Sequence, residues 1–143
     1  MGLFSKKTTT ESGFVLLLGG HSVTVKGESH HLATFERFLG RRSEAGVNEE
    51  VVLELIQETD NPYDPNAIMV CFPGPGLHSD RQLGYMDRAA AEAFRPVAER
   101  LSAGGLIGRV NATIRGGWDR GRGEDGDFGV VLDLASPEAC IPS

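Results

Sequence analysis

Cysteine is scarce in this chain: Cys71 and Cys140 are the only two among 143 residues. Two thiols this far apart in sequence offer neither a disulfide scaffold nor a four-ligand zinc set, and Cys71, inside an apolar stretch, reads as a small core residue. Long apolar runs are missing as well. The run at residues 14–18 is too short for the hydrophobic region of a signal peptide, and Glu11 with Thr8, Thr9 and Thr10 separates it from Lys6 and Lys7. No stretch reaches the length of a transmembrane helix, so a cytoplasmic protein is expected. Lys6 stands where an N-myristoylation signal wants Ser or Thr.

An excess of positive charge is also lacking. Lys and Arg number 14 against 20 Asp and Glu, a net charge of −6, so the chain as a whole does not attract a phosphate backbone. The charge is unevenly spread. Glu49, Glu50, Glu54, Glu58 and Asp60 gather around one predicted strand, whereas Arg109, Arg115, Arg120 and Arg122 lie in the last third with Asp119 as the one acid among them. A local basic face is compatible with that segregation, as is an ordinary solvated one.

Catalytic signatures are absent too. There is no phosphate-cradling G-x-x-x-x-G-K loop, no nucleophile elbow and no cysteine with an evident histidine partner. His30 and His31 are adjacent, so on a helix they point about 100° apart and cannot share a zinc ion as an i, i+4 pair does. No metal, no cofactor and no enzymatic activity are expected.

What is there is a globular composition, 40% hydrophobic and 24% charged, in a chain long enough for one core. Residues 1–13 read as a loose basic tail, 14–135 as a single domain and 136–143 as a C-terminal tail. The run at 14–18 reads as a buried strand. Val23 and Val25 alternate with Thr24 and Lys26 in a half-buried strand that Gly27 ends. Leu32, Phe35, Phe38 and Leu39 recur at helical spacing, with Ser29 as a candidate N-cap, the histidines in the first turn and Gly40 at the C-cap position. Residues 51–56 form a strand with one wet face; residues 68–72 and 82–86 follow as strands, with Pro73-Gly74-Pro75-Gly76 as the loop between them. Together they predict an antiparallel meander.

From Asp87, an acceptable N-cap, Ala90, Phe94, Val97, Ala98 and Leu101 fall on one helical face. Pro96 lies inside that pattern and predicts a bend, because a mid-helix proline costs about 3 kcal/mol. Residues 107–116 and 128–134 are strands; the glycine-rich stretch 117–126 between them, with its single Trp118, has no apolar face to order it and reads as a flexible loop. The result is a mainly β, α+β domain. It fits a small OB-like, partly open β-barrel of about six strands with two inserted helices, and the pattern alone also allows a curled α+β sheet.

The most distinctive stretch joins the first two strands of the meander. In Thr59-Asp60-Asn61-Pro62-Tyr63-Asp64-Pro65-Asn66, the prolines hold Asn61 and Asp64 out of the helical region, and Asp60, Asn61, Asp64 and Asn66 are types that bond back onto their own backbone. This is a stiff polar turn, and a well-made connection is one sufficient account of it. Tyr63 argues for more: an aromatic ring beside a carboxylate, pinned between Pro62 and Pro65, suits a surface that stacks on something flat. The oxygens of Asp60, Asn61, Asp64 and Asn66 lack the spacing and the glycine of an EF-hand. Glu58, Asp60 and Asp64 leave a metal-dependent nuclease as an enzymatic alternative that no motif secures.

The run Asn61-Pro62-Tyr63-Asp64-Pro65-Asn66-Ala67-Ile68, followed by Leu83-Gly84-Tyr85-Met86 and a helix opening Asp87-Arg88-Ala89-Ala90, resembles the HIRAN domain, from about residue 23 to about residue 134. The resemblance implies an OB-like barrel that catalyses nothing and holds the 3′ end of single-stranded DNA, as the domain does in DNA-remodelling helicases of the Swi/Snf class, and hence a place in DNA repair. It implies that Tyr63 stacks on a terminal base and that Asp64 accepts a hydrogen bond from the 3′-hydroxyl while repelling a 3′-phosphate. Ser29 and His30 stand where the family's DNA-binding members carry a basic residue and an aromatic; His30 offers a smaller ring and Ser29 removes a phosphate contact. Tyr85 and Arg88 match polar and basic positions, Phe128 matches an aromatic that backs the base, and Lys26 adds a phosphate contact. Core packing is an equal reading for Tyr85 and Phe128. A monomer is expected, with a helicase or nuclease partner to supply the enzymatic step. The alternative is a protein-interaction module that keeps the HIRAN fold and binds a peptide instead of DNA.

Overall fold

The computed structural model describes residues 13–143. The expected N-terminal tail, Gly13 apart, lies outside the described residues, as do the readings made on Lys6 and Glu11. In chain order the elements are β1 (Phe14–Leu16), β2 (Ser22–Lys26), a 3₁₀ turn (Glu28–His31), α1 (Leu32–Leu39), β3 (Val47–Gln57), β4 (Ile68–Cys71), a second 3₁₀ turn (His78–Asp80), β5 (Gln82–Met86), α2 (Arg88–Ala103), β6 (Ile107–Gly116) and β7 (Phe128–Asp133). No helix among the described residues is long and apolar enough to cross a membrane.

The expected meander forms: β3, β4 and β5 pair in sequence, each antiparallel to the next. β2 pairs with β5 and β7, β6 pairs with β3, and β7 returns to β6, so six antiparallel strands close into a ring. The small OB-like barrel with two inserted helices is therefore what the chain builds, and its ring is closed where a partly open one was expected. Alternation places the core inside it. Phe128, Val130 and Leu132 of β7 and Val110, Ala112 and Ile114 of β6 point inward and are buried, while Gly129, Val131 and Asp133 face out.

Helix α1 plugs the barrel with aromatic rings. Phe35, fully buried, stacks on Phe128 at 4.3 Å with the planes 3° apart and meets Phe72 edge-on at 6.0 Å. Phe38, on the same helix, stacks on Phe72 at 4.5 Å. Such pairs each add about 0.5–1.5 kcal/mol beyond the area they bury.

Several expectations are corrected. The strand at the start is not buried. β1 adds to the barrel from outside, parallel to residues 107–109 of β6, and leaves Phe14, Leu16 and Leu18 exposed, while Leu17 is buried in the core and Val15 packs against it. Ser29 caps nothing, because residues 28–31 wind as a separate 3₁₀ turn before α1 and neither turn nor helix has a side-chain cap. The helix expected across Pro96 does form, as α2 from Arg88 to Ala103. The carbonyl that Pro96 cannot bond belongs to Glu92, on the exposed face, where water can satisfy it.

The glycine-rich stretch is ordered as an extension of the β6–β7 hairpin. Gly126 N donates to Trp118 O at 3.0 Å, Asp119 N to Ser43 O at 2.8 Å, and the Trp118 ring lies on Gly126 so closely that a Cβ there would sit 2.3 Å from it. Nor is the end of the chain loose at Cys140. Its side chain is fully buried and its carbonyl accepts from Leu18 N at 2.8 Å. Cys71 is a core residue as expected, and burial pushes its thiol up to about 12.

One glycine sets how closely the ring closes. At Gly84 a Cβ would meet Lys26 O and Val25 Cγ1, both at 2.7 Å, so β5 and β2 approach across a position that only hydrogen can occupy. Gly84→Ala is expected to destabilise the fold by about 1–3 kcal/mol, since the obstruction is backbone that cannot move aside cheaply. Urea denaturation followed by circular dichroism measures this; a midpoint equal to that of the parent contradicts it.

Candidate nucleic-acid interface

The turn between β3 and β4 is built from its own side chains. Asn61 Oδ1 accepts from the N–H groups of Tyr63 at 2.8 Å and Asp64 at 3.0 Å, and Asp64 Oδ1 accepts from Asn66 N at 3.0 Å. Ala67 N reaches Asp64 O at 3.1 Å, and Glu58 N reaches Ala67 O at 2.9 Å, which joins the turn to the ladder below it. Pro62 and Pro65, exposed on either side of Tyr63, fix two φ angles and need no N–H partner. With its backbone satisfied in this way, the turn presents Tyr63 outward at 89% exposure.

Three further elements end beside this turn. Lys26 closes β2 and pairs in register with Tyr85 of β5, and Arg88 opens α2, whose first turn is capped by Asp87 accepting from Ala90 N at 3.4 Å. Lys26, Asn61, Asp64, Tyr85 and Arg88 line one concavity of about 250 Å³, with Ala67 and Met86 as its apolar part. Arg88 Nε lies 3.8 Å from Asp64 Oδ2, with the arginine side chain largely exposed and the carboxylate mostly covered. So exposed a pair is worth well under about 1 kcal/mol, and Arg88 remains available to an anion.

Glu58 lies beneath the turn, half-buried at the end of the β3 ladder. Its Oε1 accepts from Asn61 Nδ2 at 2.8 Å and from the Tyr85 hydroxyl at 3.0 Å. On the helix side, Arg95 Nη1 donates to Asn66 Oδ1 at 2.8 Å. Sequence reasoning treated Glu58 only as one acid in a cluster and passed over Arg95. The i, i+3 spacing of Glu58 and Asn61 was the available signal for the first; the second bridges 29 positions and leaves none.

The remaining predicted residues are divided. His30 is exposed on the 3₁₀ turn after Lys26, its ring 4.0 Å from where a Cβ on Gly27 would stand, and it is not among the residues lining the concavity. That turn is held to β7 by Glu28, whose Oε2 accepts from Val130 N at 3.1 Å. Phe128 belongs to the core: it is 4% exposed and its ring is taken by Phe35, so it presents no face to a base. Tyr85 has a mixed position, half-buried with its hydroxyl engaged by Glu58. Among the described residues no group of three or more His, Cys, Asp or Glu is arranged to hold a metal ion.

The last-third arginines do not form a basic face. β3 and β6 are neighbours, so the acidic and basic stretches meet: Glu54 is cross-strand from Arg109, which donates to it at 3.0 Å, while buried Arg81 donates at 3.1 Å from the other side. Arg120 lies over the Trp118 ring at 5.2 Å, at the hairpin end. The cations lining the concavity are Lys26 and Arg88; Arg95, also beside the turn, is bonded to Asn66 and Glu99.

The family model that matches this chain is that of the HIRAN domain, over residues 19–113. The crystal structure of the HIRAN domain of human HLTF is similar at 16% identity, covering 87% of this chain and 82% of that one with a TM-score of 0.41. The crystal structure of a protein from Lactobacillus plantarum is similar at 19% identity, covering 81% and 94%, with a TM-score of 0.40. No curated protein matches.

The engaged hydroxyl of Tyr85 has a titration consequence. Burial, and then the Glu58 carboxylate, raise its phenol above the ordinary value near 10. Because the folded-state value is the higher one, the stability this hydroxyl contributes is whole below the unfolded phenol's pKa near 10 and falls as pH rises through the folded value. Absorbance at 295 nm is expected to show a tyrosinate appearing above the ordinary phenol range that Tyr85→Phe removes. A difference between parent and variant confined to the ordinary range contradicts the arrangement.

Proposed function

The chain belongs to the HIRAN domain family, whose domain is a nucleic-acid-binding module and not itself catalytic, and we propose that it holds the 3′-hydroxyl end of single-stranded DNA at the turn formed by residues 61–66. The observation that carries this reading is the exposure of Tyr63 next to a carboxylate that lines a small concavity together with Lys26 and Arg88. The backbone under the ring is ordered before any base arrives, so stacking has only the ring's own rotamers left to fix, and it is worth about 1–3 kcal/mol. Asp64, beside it, accepts a hydrogen bond from a terminal hydroxyl and repels a terminal phosphate. Lys26 and Arg88 contact the phosphates further along the strand. His30 stacks on the next base from the rim.

The roles differ in kind. Tyr63 supplies affinity without regard to sequence, since every base has a flat face. Asp64 supplies selection of the end, since an internal nucleotide has no free 3′-hydroxyl. Lys26 and Arg88 supply the salt-dependent part through counterion release. Two cations against a net charge of −6 make that part small, and the module works best beside a helicase or nuclease partner that delivers the end. Tyr85 and Met86 form the floor, and Asn61 and Asn66 keep the turn in shape.

The acidic balance favours one competing reading, a peptide-binding module of the same fold. Salt separates the two, because phosphate contacts weaken steeply as salt rises and an apolar peptide groove does not. Fluorescence anisotropy with a short single-stranded DNA ending in a 3′-hydroxyl or a 3′-phosphate is expected to show tighter binding of the hydroxyl end. Tyr63→Ala is expected to lose about tenfold or more in affinity, and Asp64→Ala to bind both ends alike. Absence of binding at low salt rejects the nucleic-acid reading for this chain.

A further inference from the structure

We infer that Glu58 is a positioning residue for end selection, acting through Asn61 without touching the ligand; this rests on the reading of the turn as the 3′-end site. The Tyr63 side chain, at 89% exposure, has little around it to hold its direction. Its aim, and that of the adjoining Asp64, is set by the backbone of the turn. At these two residues the backbone is held by one atom, Asn61 Oδ1, which accepts from both N–H groups.

An asparagine amide has two unlike ends, and the wrong one would set an NH₂ donor against two N–H donors. Glu58 decides which end faces the turn. An ionised carboxylate only accepts, so it requires the NH₂ of Asn61 on its own side, and the 2.8 Å contact from Nδ2 to Oε1 fulfils that. Glu58 is held in turn. The Tyr85 hydroxyl lies 3.0 Å from Oε1 and 3.2 Å from Oε2, and the Glu58 N–H is bonded to Ala67 O across the base of the turn. The chain of contacts runs from the β5 strand through Tyr85, Glu58 and Asn61 to the two amides that aim the stacking ring and the carboxylate. Tyr85 is on β5 and Glu58 directly follows β3, whereas Asn61 is on the turn itself.

Oε1 accepts from both Asn61 and Tyr85, so a glutamine with its carbonyl oxygen at that place keeps both bonds. Glu58→Gln is therefore the conservative variant and Glu58→Ala the disruptive one. Two readouts are taken together: the ratio of affinities for 3′-hydroxyl and 3′-phosphate DNA, and hydrogen exchange of the Tyr63 and Asp64 amides by NMR, with the core amides of Leu53 and Val110 as controls. In Glu58→Ala the ratio is expected to fall towards one and the two amides to exchange about fivefold or more faster, the effect of losing a hydrogen bond's net contribution. The controls are expected to hold, and Glu58→Gln to match the parent in both readouts.

A retained ratio, or unchanged turn amides, in a folded Glu58→Ala protein overturns the inference, because a merely structural carboxylate would slow or hasten global opening and move the controls instead. If Glu58→Ala does not fold, Asn61→Asp asks the same question: it replaces the NH₂ donor to Glu58 by a second carboxylate, which like-charge repulsion drives from the 2.8 Å contact and so from its seat under the two N–H groups, and the same two losses are expected. If the parent shows no preference for the hydroxyl end, the proposed function fails, and the amide exchange alone decides whether Glu58 sets the turn.

Discussion

At Gly84 the backbones of β5 and β2 come together across a position with no room for a methyl group, 2.7 Å from Lys26 O, and most of what is particular to this molecule depends on that approach. It closes the ring on the β2 side, where the pairing is short: Val25 with Met86 and Lys26 with Tyr85. The second of those pairs sets a cation beside the tyrosine whose hydroxyl fixes Glu58. A wider gap would leave the barrel as a curled sheet and separate Lys26 from the turn. One missing side chain thus serves both the closure of the fold and the assembly of the concavity.

Charge is handled by the same topology. A count over the sequence gives an acidic protein with a basic last third, but pairing β3 with β6 places the two stretches side by side and joins them in the Glu54–Arg109 ion pair. Glu54, nearly inaccessible, lies between Arg81 and Arg109 on the outer side of its strand. A carboxylate so covered is tolerated because both its oxygens are met by guanidinium groups. What remains near the turn is a local balance of Lys26, Arg88 and Arg95 against Glu58, Asp60 and Asp64. The potential a ligand meets there is set by those few groups and far less by the total.

Much of this was legible in the sequence, and for identifiable reasons. The meander could be read because its strands alternate and its connections carry proline, glycine and asparagine where turns need them. The turn at 61–66 could be read as stiff because its prolines and its Asx residues are local signals, and both act within a few positions. Other features were hidden because they depend on distant partners. β1 looked buried from its composition, and only its parallel place outside β6 shows why Phe14 and Leu16 face outward. Trp118 looked like part of a mobile loop until Gly126, its support, was brought beneath it by the hairpin. Phe128 carried the same pattern whether it backed a ligand or filled the core, and the Phe35 ring settled it for the core. Glu58 was visible as an acid among acids; its task appears only once Tyr85, 27 positions on, is seen to bond it.

In the proposed function, ligand meets this molecule at the end of the barrel where the 61–66 turn, the end of β2 and the start of α2 converge. The most direct test is NMR titration of the isotope-labelled protein with a short single-stranded DNA ending in a 3′-hydroxyl. Shifts concentrated on residues 61–66, Lys26, Tyr85 and Arg88, with the outward face of β6 and β7 silent, are the predicted result. Shifts centred on that outward face, around Asn111, Thr113 and Val131, with the turn unmoved, would contradict it.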